Sequence, residues 1–335
     1  MKKLLTPILF GSLLFMLYSC GNETVIDDTC MQCHSTQVKM DIDLQFNQSA
    51  HKAGAIAVDY AGSRARCAQC HSHEGFVEYA MNGEVDQDIS LASAWQCKTC
   101  HNVHKTFTDE DYALRLADPV AFLFDETVTF DYENSNLCAN CHQSRRAGPE
   151  DMAGEMVDTD GDDENDYTMQ AGEFFISSTH YGPHHGSQAN LMQGVGFSEI
   201  AGSASYPEAG SHPHAALGCT GCHMEDYADG MGGHTFNPSI ASCTECHSGA
   251  EDFDVGGGQE EIADLLEELR DLLVAAEVIE WVEEDEAYEP IVAVHGLDES
   301  RAFFNWIGIE EDRSLGVHNP TYIKALLENS IAAVQ

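Results

Sequence analysis

Twelve of the thirteen cysteines in this 335-residue chain fall into six pairs of the form Cys-x-x-Cys, each followed at once by histidine. The groups are Cys30, Cys33 and His34; Cys67, Cys70 and His71; Cys97, Cys100 and His101; Cys138, Cys141 and His142; Cys219, Cys222 and His223; and Cys243, Cys246 and His247. Random placement of these cysteines and 17 histidines would give about 0.03 such motifs. Two thiols three positions apart can add to the two vinyl groups of one haem, and the following histidine then sits under the iron as proximal ligand. Zinc ribbons and disulfide frameworks also pair cysteines, but neither requires a histidine after every pair. The spacing therefore predicts six covalent haems, with the twelve cysteines as attachment points and the six motif histidines as proximal ligands.

That cofactor load constrains the fold. Apolar macrocycles replace much of the side-chain core a chain of this length would otherwise need. Successive motifs begin 37, 30, 41, 81 and 24 residues apart, leaving room only for short helices between them. The expected fold is mainly α with extensive irregular loops, packed around six covalent haems, with a C-terminal helical segment. Residues 30–254 form the haem domain on this reading, and residues 255–335 a helical region. Val255 to Gly258 mark the break. Beyond it, Ile262, Leu265, Leu266, Leu269, Leu272 and Leu273 share one helical face. A second helix is predicted from Ser300 to about Gly308, and a third where Asn319 caps and Pro320 takes the first helical position. Packing is the expected role of this tail, with an oligomer contact as the alternative.

The thirteenth cysteine belongs to the leader. Lys2 and Lys3 precede a short apolar run, Leu4 to Leu17, which ends at Ser19, Cys20 and Gly21. The run is too short for a confident membrane span and reads as a signal peptide over residues 1–19. Its end resembles a bacterial lipobox, which makes Cys20 the expected lipidation site and residues 20–29 a polar tether. Export, a lipid anchor on the bacterial outer membrane and a periplasmic or surface-exposed position follow as expectations.

Each iron needs a sixth ligand or leaves a site open, and eleven histidines lie outside the motifs. At this point the sequence resembles the multihaem c-type cytochromes, the superfamily that includes ammonia-forming nitrite reductases and extracellular electron carriers. The segment Phe46 to His51 is similar to that family's distal-ligand element before a haem motif. His101 and His104 resemble its CHxxH arrangement, where the second histidine serves a neighbouring haem. Pro213-His214 before Cys219, Gly233-His234-Thr235-Phe236, and Gly316-Val317-His318-Asn319-Pro320 resemble three further ligand elements. The resemblance thus implies His51, His104, His214, His234 and His318 as distal ligands. A sixth comes from the group His180, His184 and His185, with the Gly182-to-Gly186 pattern favouring His184 or His185 without separating them. His73, His212 and His295 read as non-ligands.

The 81-residue gap carries an acidic loop. Asp158, Asp160, Asp162 and Asp166 surround Gly161 and offer hard oxygen ligands, as calcium loops do. The glutamate that closes a full EF-hand loop is missing, and a solvated acidic loop is the alternative.

Acidic residues number 57 against 15 Lys plus Arg, a formal charge of -42. A surface this acidic repels phosphate backbones, which excludes nucleic acid as a partner, and it steers cationic partners toward the protein. Bis-histidine haems bind no substrate at iron, so the expected function is electron transfer at the cell envelope, to redox proteins or an extracellular acceptor. Two other readings stand beside it. A reductase of nitrogen or sulfur oxyanions needs an open haem site with cationic residues over it; Arg145 and Arg146 are the most suggestive pair, but no CxxCK motif is present. A subunit of an extracellular cytochrome filament would suit six haems, though a lipid anchor argues against free polymerisation.

Overall fold

The computed structural model describes residues 36–106, 113–225 and 230–335. The leader, Cys20 and the first motif (Cys30, Cys33 and His34) lie outside the described residues.

Every described motif lies on or runs directly into or out of a short helical segment. These are α4 (Ala65–His71), α6 (Cys97–Cys100), α7 (Asn136–Ala139), α10 (Thr220–His223) and α11 (Ile240–Thr244). The helical turn puts two cysteines at i and i+3 on one face. It also fixes the histidine: the amides of His101, His142, His223 and His247 donate to the carbonyls of Cys97, Cys138, Cys219 and Cys243 at 2.7–2.9 Å. Ahead of α4 lie α1 (Thr36–Gln48), α2 (Ala50–Ala53) and α3 (Ala55–Ala61), and after it α5 (His73–Asn82). The helices α8 (Gln188–Gln193) and α9 (Pro213–Leu217) fall in the longest gap between motifs.

The tail forms α12 (Gly258–Ala275), α13 (Leu297–Asp312) and α14 (Pro320–Val334). The apolar stripe of α12 points inward through Ile262, Leu266, Leu269 and Leu273. It meets Phe303, Phe304 and Trp306 of α13 and Tyr322, Leu326 and Leu327 of α14. Full burial of a side chain such as Leu269 contributes about 1.5–3 kcal/mol. The same core takes in Ile176, Leu191, Phe197 and Ile200 from the gap segment, which ties it to the tail. Polar contacts fix the register. Asn305 accepts from the Ser198 amide and donates to its carbonyl, and the Trp306 indole donates to Leu266 O at 3.1 Å. The middle helix runs from 297 to 312, longer at both ends than the 300–308 expected; at its start the Glu299 carboxylate accepts from the Gly296 amide at 3.0 Å.

Among the described residues, sheet is limited to antiparallel pairs: β1 (Val120–Phe122) with β2 (Asp125–Phe130), β3 (Met156–Val157) with β4 (Tyr167–Thr168), β5 (Glu173–Ile176) with β8 (Ala293–Gly296), and β6 (Ile279–Val282) with β7 (Ala287–Pro290). Residues from β1, β2, α7, α8 and α9 enclose a second, smaller core around Phe122 and Phe130, beside the 138–142 motif. No helix among the described residues is long and apolar enough to cross a membrane.

Candidate haem-binding sites

All five described motif histidines face a second histidine ring from elsewhere in the chain. His71 faces His184 at a centroid separation of 5.8 Å, His101 faces His234 at 6.3 Å, and His142 faces His51 at 6.1 Å. His223 faces His318 and His247 faces His214, both at 6.4 Å. Two imidazoles bound through Nε2 on opposite sides of one metal have centroids about 6.2–6.4 Å apart, given a metal–nitrogen bond of about 2.0–2.1 Å and about 1.1 Å from nitrogen to ring centre. The spacing fits one iron between each pair, and the two cysteines of each motif lie within the preceding turn. These residues therefore fit haem c.

Burial favours the neutral form at five of these rings. A ligating imidazole must be neutral, with its other nitrogen tied to an acceptor. Burial holds His51 and His184 down at about 4, helped by His142 in the first case and by Arg145 and His185 in the second. Burial also lowers His71, His142 and His223. With the proton on Nδ1, His142 donates to Gln188 Oε1 at 3.0 Å, His214 to Val317 O at 2.6 Å, and His223 to Phe236 O at 2.8 Å. His318 Nδ1 lies 2.7 Å from Asp312 Oδ1. Burial pulls His318 down, but the Asp312 carboxylate outweighs it and the net shift is upward. In each case Nε2 is left for a metal.

Local chain geometry delivers the facing rings. His51 rides on α2, whose N-cap Ser49 accepts from Lys52 N. His214 follows Pro213 at the start of α9, where His212 acts as the N-cap and accepts from the His214 amide. His234 lies in a single 3-10 turn, its amide bonded to Gln45 Oε1 of α1 at 3.0 Å. His184 has φ +78, a left-handed conformation unusual for histidine, between Gly182 (φ +156) and Gly186 (φ +93). That kink turns His184 toward His71, while its neighbour His185 turns away to Glu311 at 2.6 Å. His180 lies nearer Glu289. His73 bonds Thr99 Oγ1, and His295 bonds Ile291 O.

Phe236 links three sites. Its ring packs edge-on to His51 at 4.7 Å and His234 at 6.0 Å, while its carbonyl accepts from His223. The loop from Asp312 to Asn319 serves two, through Val317 O at His214 and through His318 itself.

The motifs adjoin one another. The Cys70 and Cys141 side chains lie beside one another, as do those of Cys138 and Cys219. Cys100 lies in the field of Cys138, and Cys222 in that of Cys243. The 138–142 motif is thus a hub touching 67–71, 97–101 and 219–223, and 219–223 leads on to 243–247.

In the acidic loop, Asp158, Asp160 and Asp162 bring oxygens within 4.8 Å of one another. Asp166 does not join them: it holds Thr159 through the Thr159 amide and hydroxyl. Asp158 itself accepts from the amides of Gly161 and Asp163, so the loop closes on its own backbone. Sequence reasoning missed Gln188, Phe236 and Asp312 as partners of ring nitrogens, since none has a fixed offset from its histidine.

No family model and no curated protein matches the chain. Among solved structures, the outer cell wall cytochrome OcwA matches with a TM-score of 0.53 and 18% identity, over 88% of this chain and 50% of that one. The cytochrome c nitrite reductase of Desulfovibrio desulfuricans ATCC 27774 matches with a TM-score of 0.40 and 15% identity, over 88% of this chain and 68% of that one. The chain shares its fold with a cytochrome, and it spans half the length of OcwA.

Proposed function

We propose that this chain is a multihaem electron carrier of the cell envelope, in which six haems are held by the CxxCH motifs and every iron has two histidine ligands. The observation that carries this reading is the set of five histidine pairs at 5.8–6.4 Å, one per described motif and with no histidine used twice. His104, the remaining candidate of the CHxxH type, is the partner proposed for His34.

When bound, haem supplies an iron that cycles between ferric and ferrous states. The chain's part is to hold, orient and insulate. Cysteines at i and i+3 anchor each macrocycle, and the Nδ1 acceptors fix which nitrogen of each ring faces the metal. Two histidines per bound iron would leave no place for a substrate, which favours electron transfer over oxyanion reduction. The adjoining motifs give electrons a continuous route, branching at 138–142 and extending through 219–223 to 243–247.

Spectra of the oxidised protein test the reading. All haem is expected to be low-spin, and a substantial high-spin fraction would overturn it. The lipid anchor at Cys20 belongs to the same proposal: a fatty-acid analogue should label the wild type and not Cys20→Ala, and label retained by the variant would refute it.

A further inference from the structure

The ligand rings differ in what holds their outer nitrogen. At the 138–142 site His142 donates to the Gln188 amide oxygen, and at the 243–247 site His214 donates to a backbone carbonyl. Both acceptors are neutral. At the 219–223 site, which lies between those two, His318 faces the Asp312 carboxylate at 2.7 Å. The Asp312 side chain is fully buried, 0% exposed. It ends α13, and Ser314 Oγ donates to its second oxygen. Ser314 Oγ also takes the His318 amide at 3.4 Å, so Asp312, Ser314 and His318 form one closed hydrogen-bonded turn.

We infer that Asp312 is a positioning residue that sets the reduction potential of the 219–223 site, holding it below those of the 138–142 and 243–247 sites on either side. This rests on the reading of His318 as an axial ligand. A carboxylate accepting from Nδ1–H makes the imidazole a stronger donor at Nε2, and stronger donation favours the oxidised metal. The buried negative charge acts in the same direction through a medium of low dielectric. The 219–223 haem then takes its electron after both neighbours, and traffic between them crosses a step at this point.

The test is a potentiometric titration of the holoprotein, followed by absorbance and by electron paramagnetic resonance. Asp312→Asn keeps the side-chain shape and an acceptor oxygen but removes the charge. It is expected to move one step of the titration to higher potential and leave the others in place. Ser314→Ala removes the competing donor from the same carboxylate, and it should move that same step the opposite way. If Asp312→Asn does not accumulate with a full complement of haem, Ser314→Ala decides alone. Unmoved steps, or a uniform shift of all of them, would overturn the inference, since a merely structural role predicts no selective change. The wild-type spectrum separates the two readings. High-spin haem would refute the axial assignment itself, whereas low-spin haem with unmoved steps refutes only the role of Asp312.

Discussion

At the scale of single residues, the angle between facing rings is as informative as the distance. The planes of His101 and His234 meet at 36° and those of His223 and His318 at 35°. The planes of His71 and His184 meet at 72°, and those of His142 and His51, and of His247 and His214, at 83°. With an iron bound between them, each ring's π system would overlap the d orbital perpendicular to its own plane. Rings near parallel act on one orbital and split the pair, whereas rings near perpendicular act on both and leave them close in energy. The oxidised protein is therefore expected to show two classes of low-spin electron paramagnetic resonance signal: rhombic from two of these sites, highly anisotropic from three. A single class in all sites would contradict the ring geometry. The CxxCH motifs were plain in the sequence, because the covalent chemistry proposed for them fixes their spacing. The pairing was not. His51 faces His142 rather than a nearer motif, and the choice between His184 and His185 turns on one backbone angle that no residue type announces. Asp312 was invisible for a related reason: it reaches His318 across a six-residue turn, with Arg313 and Leu315 both at positive φ.

At the scale of elements, α13 supports one site by contact and another by its end. Asp312 closes the helix at the 219–223 site, while Gly308, one turn earlier, packs against the loop that carries His184. A Cβ at Gly308 would lie 2.4 Å from Phe197 Cε1 and 2.8 Å from Pro183 Cγ. Pro183 directly precedes His184. Overpacking of this kind costs about 1–3 kcal/mol, more than the roughly 1 kcal/mol that alanine gains over glycine in helix propensity. Gly308→Ala is expected to lower the thermal midpoint and to give one haem partial high-spin character as His184 is pushed from His71. A variant with wild-type melting and spectrum would show that the loop can yield without cost. Two of the tail helices were legible for different reasons: α12 buries one apolar face, and Asn319 with Pro320 announces the start of α14. The β5–β8 pair was not: each strand is four residues long, and the two lie far apart in sequence. Short strands carry too little periodic signal to declare a partner, and here the pairing brings the tail to the gap segment that carries His184.

At the scale of the whole molecule, charge decides which partners approach. A formal charge of -42 produces a field extending well beyond contact range at low salt and shrinking to about 10 Å at 0.1 M ionic strength. Acidic side chains also crowd single elements. On α12, Asp264, Glu267, Glu268 and Asp271 line one groove; Arg270 bonds Glu267 and Asp271, and the Gln335 amide donates to Glu268. Pairs exposed in this way contribute little to stability; their effect is on encounter. Electrostatic steering raises association rates between opposite charges and falls steeply with ionic strength. Electron exchange with a small cationic redox protein should therefore be fast at low salt and slow progressively as salt is added, while exchange with an anionic mediator should start slow and accelerate. Stopped-flow oxidation of the reduced protein by each, across a salt series, measures both slopes. Slopes of the same sign would mean that electrons leave through a region the global charge does not govern, and the partner would then have to be sought by shape at one motif rather than by charge over the whole surface.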